Sequence, residues 1–177
     1  MEAFFNIFNK SILTLLIFIP VLGAVLMMPA SKFIKNKSII KYIALGATGL
    51  QLILVTILYF SFDPSTAISN SPYTIQVDWI KPFNIQYYLG IDGLSIPMVL
   101  LTAFLSFICI IASWNIDKKP LGYFSLFLLL DAGMMGVFLS VDFFLFYIFW
   151  EVMLLPMYFL IGIWGGPQRH YAAIKFF

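Results

Sequence analysis

Residues 142–164 read DFFLFYIFWEVMLLPMYFLIGIW, an apolar run with two acidic residues and no basic one. A helix of about 20 apolar residues crosses the ~30 Å hydrocarbon core of a bilayer, so this run predicts a membrane-spanning helix. Glu151 lies about nine residues inside it, or ~13 Å along the helix axis, near the middle of the bilayer. Because a carboxylate is costly at that depth, an acid there favours a functional role such as a proton or ion path.

The composition of the whole chain is that of a membrane protein. Of its 177 residues, 62% are hydrophobic and 10% are charged, against roughly 45–50% and about 25% in soluble domains. The formal net charge is only +2, and no basic cluster is interleaved with aromatic residues, so nucleic acid is not an expected partner. The single cysteine, Cys109, excludes a disulfide framework within the chain and is expected to be a small packing residue. We therefore expect a polytopic protein embedded in a lipid bilayer.

Four further runs are long and apolar enough to span the bilayer. They are Ser11–Ala30, Ile39–Phe60, Ile91–Trp114 and Leu121–Ser140. The pattern at His170–Phe177 predicts the start of a sixth helix. The predicted fold is thus an all-α polytopic bundle over residues 1–177, with five transmembrane helices and the beginning of another.

The distribution of basic residues predicts the orientation of this bundle. Five spans place eight basic residues on one side and only Lys10 and Lys81 on the other. Those eight are Lys32, Lys35, Lys37, Lys41, Lys118, Lys119, Arg169 and Lys175. The positive-inside rule then puts the N-terminus outside and Arg169 inside.

Residues 61–90 form the one long polar loop, predicted to lie outside the membrane. Tyr73–Trp79 alternates apolar and polar residues, which is typical of a half-buried strand. Lys81–Asn84 suits a turn, and Ile85–Leu89 suits a returning strand. A small external β-hairpin and an irregular interfacial segment are both compatible with this pattern.

Asp131 is a second intramembrane acid, about ten residues into the fourth predicted helix. The fourth and fifth helices are joined by a very short turn and should be antiparallel neighbours. Asp131 and Glu151 could therefore share one proton network, although Asp131 alone fits a structural role equally well. For Glu151 the alternative is an inert interhelical hydrogen bond. Such bonds average only about 0.6 kcal/mol, which is weak compensation for burying a carboxyl, so the functional role is favoured.

The remaining polar residues point to structural roles. Asp142 and Asp92 are placed to cap the fifth and third helices, and His170 lies in an inner loop where a single histidine makes no metal site. The sequence has no glycine-rich phosphate loop, no nucleophile–base pair and no set of cysteine ligands for an iron–sulfur cluster. We therefore expect redox chemistry and nucleotide binding to occur in other chains.

Three motifs resemble one family. They are VDFFLFYIFWEVMLLPMYFLIGIWGGP at 141–167, YLGIDGLS at 88–95 and YAAIKFF at 171–177. All three are similar to the antiporter-like, proton-pumping membrane chains of NADH:quinone oxidoreductase (respiratory complex I), and in particular to its M chains. The resemblance covers the chain from about Tyr87 to the end, and the first two helices match only in hydropathy and order.

The resemblance implies a function for the acids. Glu151 corresponds to the family's intramembrane glutamate, which pairs with a lysine on a later, broken helix and takes part in proton translocation. Asp131 is a further candidate proton relay. Family members have many more helices, so this chain is expected to be an N-terminal portion that does not reach the lysine.

The resemblance also implies the setting. The chain would be a subunit of an NADH:quinone oxidoreductase translocase, with other membrane subunits of complex I as partners. It would lie in an energy-transducing membrane, namely the bacterial inner membrane. NADH, flavin, iron–sulfur clusters and quinone would be bound by partner subunits, with no cofactor and no metal in this chain.

Two other functions stay open from the sequence. A chain of a multi-subunit Na⁺/H⁺ antiporter or of a membrane-bound hydrogenase would have the same fold. The second alternative is a purely structural membrane fragment, which seals and spaces a larger complex.

Overall fold

The structure, a computed structural model, describes residues 2–33, 38–63, 68 and 71–177, with the backbone alone for residues 2–10 and 30–33. In these ranges the chain forms six α-helices and one two-stranded sheet. The helices are α1 Glu2–Phe33, α2 Ser38–Ser61, α3 Ser95–Ala112, α4 Pro120–Leu139, α5 Phe143–Trp164 and α6 Arg169–Phe176, and the strands are β1 Ile75–Ile80 and β2 Ile85–Leu89.

Five of these helices are long and apolar enough to cross a membrane, as predicted. Their spans are Ser11–Pro29, Ser38–Ser61, Ser95–Asn115, Pro120–Leu139 and Phe143–Trp164. The short α6 confirms that a further helix begins after α5. The helices differ from the predicted spans at three boundaries: the backbone of α1 continues beyond Ser11–Ala30 at both ends, and α3 begins at Ser95 rather than Ile91.

The core consists of two apolar clusters, one toward each end of the bundle. The first joins α1, α2, α3 and α4 to the end of strand β2 and includes Leu13, Leu58, Leu89, Ile91 and Leu139. The second joins the opposite halves of the same helices and includes Met27, Ile40, Ile110, Phe124 and Leu128. Because lipid tails are as apolar as these side chains, close packing rather than exclusion from water holds such helices together.

The external loop contains the predicted β-hairpin, and the irregular alternative was wrong. Strands β1 and β2 pair antiparallel, with an irregularity between Asp78 and Ile80. The turn between the strands is the 3₁₀ segment Lys81–Phe83, followed by Asn84, whose φ of 53° lies in the left-handed region. Residues 64–67, 69 and 70 of the predicted loop lie outside the described residues.

Backbone hydrogen bonds fix the hairpin to the short turn between α4 and α5. Gly90 N–H donates to the Leu139 carbonyl at 3.0 Å, and Val141 N–H donates to the Tyr88 carbonyl at 3.0 Å. A Cβ at Gly90 would lie 2.8 Å from Val141 Cγ2, so only glycine allows the two segments to approach this closely. The hairpin therefore covers the end of the bundle from which α5 begins.

The opposite end of the bundle gathers basic and tryptophan side chains. Lys41 Nζ donates to the Trp114 carbonyl at 2.6 Å and to Asp117 Oδ1 at 3.0 Å. Trp164 Nε1 donates to the Lys118 carbonyl at 2.7 Å. These residues lie at the same end of the bundle, as the predicted grouping of basic residues on one side of the membrane requires. The orientation of the bundle in a membrane stays a prediction. The side chains of Lys32, Lys35 and Lys37 lie outside the described part of the chain.

Candidate functional site

Helix α5 holds Glu151 at mid-height. Asp142 opens the helix by accepting hydrogen bonds from the N–H groups of Phe144 and Leu145 at 2.9 and 3.0 Å, which confirms the predicted cap. Glu151 follows nine residues later, ~13 Å along the axis. Pro156 lies inside the same helix and removes one intrahelical hydrogen bond close to Glu151.

The inner face of α5 packs against two glycines of α4. A Cβ at Gly133 would lie 3.1 Å from Met153 Cβ, and one at Gly136 would lie 2.3 Å from the Phe149 ring. Small residues at such a contact let helix backbones approach closely in membranes. Leu145, on the same face, is buried as well. The short-turn prediction that α4 and α5 are neighbours is therefore confirmed.

Glu151 lies on the other face of α5. It is two residues from both Phe149 and Met153, or about 200° around the helix, and its side chain is exposed. Tyr147, one turn earlier, is its polar neighbour and is 52% exposed. Only 11% of the α5 span is buried, against 28% to 44% in the other four spans. The rest of the described chain thus leaves the carboxyl-bearing face of α5 uncovered.

Asp131 lies inside the bundle. Its side chain is 0% exposed, and its Oδ1 accepts a hydrogen bond from Ser106 Oγ of α3 at 2.5 Å. Gln51 of α2 lies within hydrogen-bonding reach of the same carboxyl. Neither Gln51 nor Ser106 stood out in the sequence, because each is one polar residue in an apolar run.

The structure does not bring Asp131 and Glu151 together. Asp131 faces Ser106 and Gln51, while Glu151 lies on the uncovered side of α5. Gly133 and Gly136 contact α5, whereas Asp131 contacts Ser106 of α3, so the shared network stays a prediction that these contacts do not support. The chain therefore presents two separate carboxyl sites.

Two titratable groups outside the spans belong to the hairpin end. The Ser95 backbone N–H, 2.6 Å from Oδ1, holds the pKa of Asp92 below its ordinary value, and the Leu94 N–H adds to this effect. These bonds confirm Asp92 as the predicted cap and turn at the start of α3. Burial raises the pKa of the Tyr87 phenol, partly offset by its 3.2 Å hydrogen bond with Thr14 of α1. Both side chains are hydrogen-bonded to neighbouring residues and have a structural role.

Two family models match adjoining parts of the chain. Residues 78–141 match the amino terminus of NADH-ubiquinone oxidoreductase chain 4. Residues 140–177 match the transmembrane family described as NADH:quinone oxidoreductase/Mrp antiporter. The second match contains all of α5 and therefore Glu151.

Curated relatives agree with these matches. The chain is 41% identical over 163 residues to NADH-quinone oxidoreductase subunit M of Buchnera aphidicola, covering 89% of this chain and 32% of the relative. It is 40% identical over 172 residues to subunit M of Escherichia coli K12, covering 92% of this chain and 33% of the relative. The chain thus spans about a third of the length of these relatives.

Solved structures share the fold. Respiratory complex I from Thermus thermophilus aligns with a TM-score of 0.74 at 20% identity, over 92% of this chain and 31% of that one. The Mrp complex from a Dietzia species aligns with a TM-score of 0.71 at 18% identity, over 94% of this chain and 17% of that one. The five spans and the bacterial relatives make the protein a multi-pass component of an energy-transducing membrane. The chain belongs to the family of antiporter-like membrane subunits of NADH:quinone oxidoreductase, to which subunit M also belongs.

Proposed function

We propose that this chain is part of a membrane subunit of a proton-translocating NADH:quinone oxidoreductase and that Glu151 carries protons. The observation that supports this most is the position of Glu151: mid-span, on the face of α5 that the described residues leave uncovered. Carboxyl groups inside membrane spans are rare and line proton or ion paths. A carboxyl on an uncovered face is available to another helix or to water within the assembled complex.

The charge partner of Glu151 is proposed to lie in another segment. Among the described residues, basic side chains belong to the ends of the bundle and to the hairpin, as with Lys41, Lys81, Lys118 and Arg169. None is in the middle of a span. This fits the lysine on a later helix that the resemblance implies, and the relatives are about three times as long as this chain.

Asp131 is proposed as a second proton-binding group, on a route separate from that of Glu151. It is closed off from Glu151 by the α4–α5 contact at Gly133 and Gly136. A relay through Asp131 would therefore run between α2, α3 and α4, where Gln51 and Ser106 are its neighbours.

Redox cofactors are proposed to be bound by partner subunits. An iron–sulfur cluster needs several thiolate ligands, whereas this chain has one cysteine. Among the described residues there is no group of three or more His, Cys, Asp or Glu suited to a metal ion. The redox reactions of NADH, flavin, the clusters and quinone would then occur elsewhere in the complex. Other membrane subunits would couple those reactions to proton movement in this subunit.

The test is Glu151→Ala in the full-length subunit, assembled in its native complex. NADH-driven proton uptake into inverted membrane vesicles should fall on the order of tenfold or more, since positioned proton-transfer groups contribute about 10²- to 10⁴-fold. Asp78→Asn, on the exposed hairpin, is the matched control and should keep its uptake. Normal uptake by an assembled Glu151→Ala complex would reject the proposal, and loss of assembly with normal specific activity would favour a structural role.

A second candidate is a subunit of an Mrp-type Na⁺/H⁺ antiporter. The description of the second family model names the Mrp antiporter beside NADH:quinone oxidoreductase, and the Dietzia complex shares the fold, whereas the curated relatives reported above are oxidoreductase subunits. Purification of the native complex distinguishes the oxidoreductase from the antiporter. Co-purification with an NADH-oxidising arm supports the oxidoreductase, whereas Na⁺-driven proton exchange without such an arm supports the antiporter.

A further inference from the structure

Two hydrogen bonds of opposite direction join the loop between α3 and α4 to the end of α5. Trp164 Nε1 donates to the Lys118 carbonyl at 2.7 Å, and Lys118 Nζ donates to the Ile163 carbonyl at 3.2 Å. We call these contacts among Lys118, Ile163 and Trp164 the α5 clasp. Lys118 is an acceptor through its backbone and a donor through its side chain, so one residue of the loop holds the helix end twice.

The clasp supplies a donor that the end of α5 lacks. In a continuing helix the Ile163 carbonyl would accept from the N–H of residue 167, but that residue is Pro167, which has no N–H. The Lys118 ammonium takes its place. Its positive charge lies at the C-terminal end of α5, where the helix dipole favours a cation.

Further contacts hold the Trp164 ring in the clasp. Its ring meets that of Tyr123 of α4 edge-on, with centroids 5.3 Å apart, and the Tyr123 hydroxyl shares a 2.8 Å hydrogen bond with Ser113. Lys119 has a φ of 49°, a left-handed conformation that costs about 1–3 kcal/mol and persists only where the surroundings impose it. That conformation orients the peptide group whose carbonyl belongs to Lys118.

A separate contact holds the other half of α5. Gly136 and Gly133 of α4 lie directly against Phe149 and Met153. Only 11% of the α5 span is buried, so the course of the helix depends on few contacts. The glycine contact therefore fixes the half of α5 that carries Glu151, and the clasp fixes the half that follows.

Pro156 lies between these two anchors, five residues after Glu151. Proline removes the hydrogen bond to the Val152 carbonyl, and helices bend at such a break. The relative direction of the two halves is then set by the contacts that hold each half. Because Val152 is the residue next to Glu151, the bend decides how far a free carbonyl opens beside the carboxyl.

We propose that Trp164 and Lys118 are positioning residues for Glu151. Their clasp fixes the half of α5 beyond Pro156 and so sets the bend beside the carboxyl, although it lies thirteen residues, or ~20 Å, from Glu151. This inference rests on the proposed role of Glu151 in proton translocation. Neither positioning residue carries a proton itself, and both act only through the course of α5.

The test is NADH-driven proton uptake by the full-length subunit in its assembled complex, measured per complex and across pH. Trp164→Phe keeps a ring against Tyr123 but removes the indole donor. Uptake should fall at least about threefold, since a misplacement of about 1 Å can cost 10²-fold, and the midpoint of the pH profile should shift. Lys118→Met should have a smaller effect of the same kind, and Lys118→Arg, which keeps a donor, should retain uptake. Trp79→Phe, on the exposed hairpin, is the matched control and should keep both rate and profile.

A shift of the pH profile would report the surroundings of Glu151, because Trp164→Phe changes no titratable group. Helix α4 meets α5 through glycines. Besides Glu151, the titratable side chains of α5 and α6 are Tyr147, Tyr158, Arg169, His170, Tyr171 and Lys175, and all of them remain in that variant.

Three results would overturn the proposal. Wild-type uptake at every pH in assembled Trp164→Phe would mean that the clasp does not affect Glu151. Less complex with normal uptake per complex, or lower uptake with an unchanged midpoint, would mean that the clasp is only structural. If Trp164→Phe does not assemble, the same comparison between Lys118→Met and Lys118→Arg decides.

Glu151→Gln, measured in the same assay, keeps the two proposals distinct. Full uptake by assembled Glu151→Gln would reject the proton-carrying role itself. Lost uptake in Glu151→Gln together with normal uptake in Trp164→Phe would reject the positioning role alone.

Discussion

Asp131 and Glu151 lie on adjacent antiparallel helices but face in opposite directions. Asp131 is completely buried beside Ser106, whereas Glu151 is exposed on the outer face of α5. Between them Gly133 and Gly136 hold the two helices in close contact. The two intramembrane acids therefore have separate surroundings, and variants at one should not reproduce the effects of variants at the other.

Gly136→Ala should disrupt the contact between α4 and α5. The added Cβ would lie 2.3 Å from the Phe149 ring, and overpacking of this kind costs about 1–3 kcal/mol. The subunit should then aggregate at a lower temperature when solubilised membranes are heated. Gly46→Ala is the matched control, because its Cβ would meet nothing within 4 Å and helix propensity alone favours alanine. If the two variants aggregated at the same temperature, the contact between Gly136 and Phe149 would not be tight.

Asp142→Ala should weaken the start of α5. It removes the acceptor for the N–H groups of Phe144 and Leu145, a loss of about 0.5–2 kcal/mol for a helix cap. Asp142→Asn keeps a side-chain oxygen at the same position and should retain most of the stability. Thermal aggregation of the two variants measures the difference, and an equal loss in both would assign the effect to charge instead of capping.

The two partners of the Lys41–Asp117 ion pair should respond unequally to substitution. The Lys41 side chain is 11% exposed and also donates to the Trp114 carbonyl, whereas the Asp117 side chain is 81% exposed. Lys41→Met leaves that carbonyl without a donor, at a cost of about 1–3 kcal/mol. Asp117→Asn removes only an exposed ion pair, worth about 0.2–1 kcal/mol. If Asp117→Asn destabilised the subunit as much as Lys41→Met, the ion pair itself would be the main anchor.

The fold was largely predictable because its signals are local. Apolar length identified five spans, alternation over 73–79 identified a strand, and Asp92 and Asp142 identified helix starts. The extension of α1 was missed because polar residues at a span end do not stop a helix. These features depend on a few consecutive residues and need no knowledge of packing.

The surroundings of the two acids were not predictable in the same way. Gln51, Ser106 and Asp131 come from three different helices, and only packing brings them together. The side of α5 on which Glu151 lies depends on which residues contact Gly133 and Gly136. An almost uniformly apolar helix gives no periodic signal of its inner face.

The central claim, that Glu151 carries protons, is tested most directly by two conservative variants of the full-length subunit in its assembled complex. Glu151→Gln keeps the shape of the side chain but cannot ionise, and Glu151→Asp keeps the carboxyl on a stem shorter by one methylene. Proton uptake per NADH oxidised should be lost in the Gln variant and partly retained in the Asp variant. Full uptake by an assembled Glu151→Gln complex would contradict the claim.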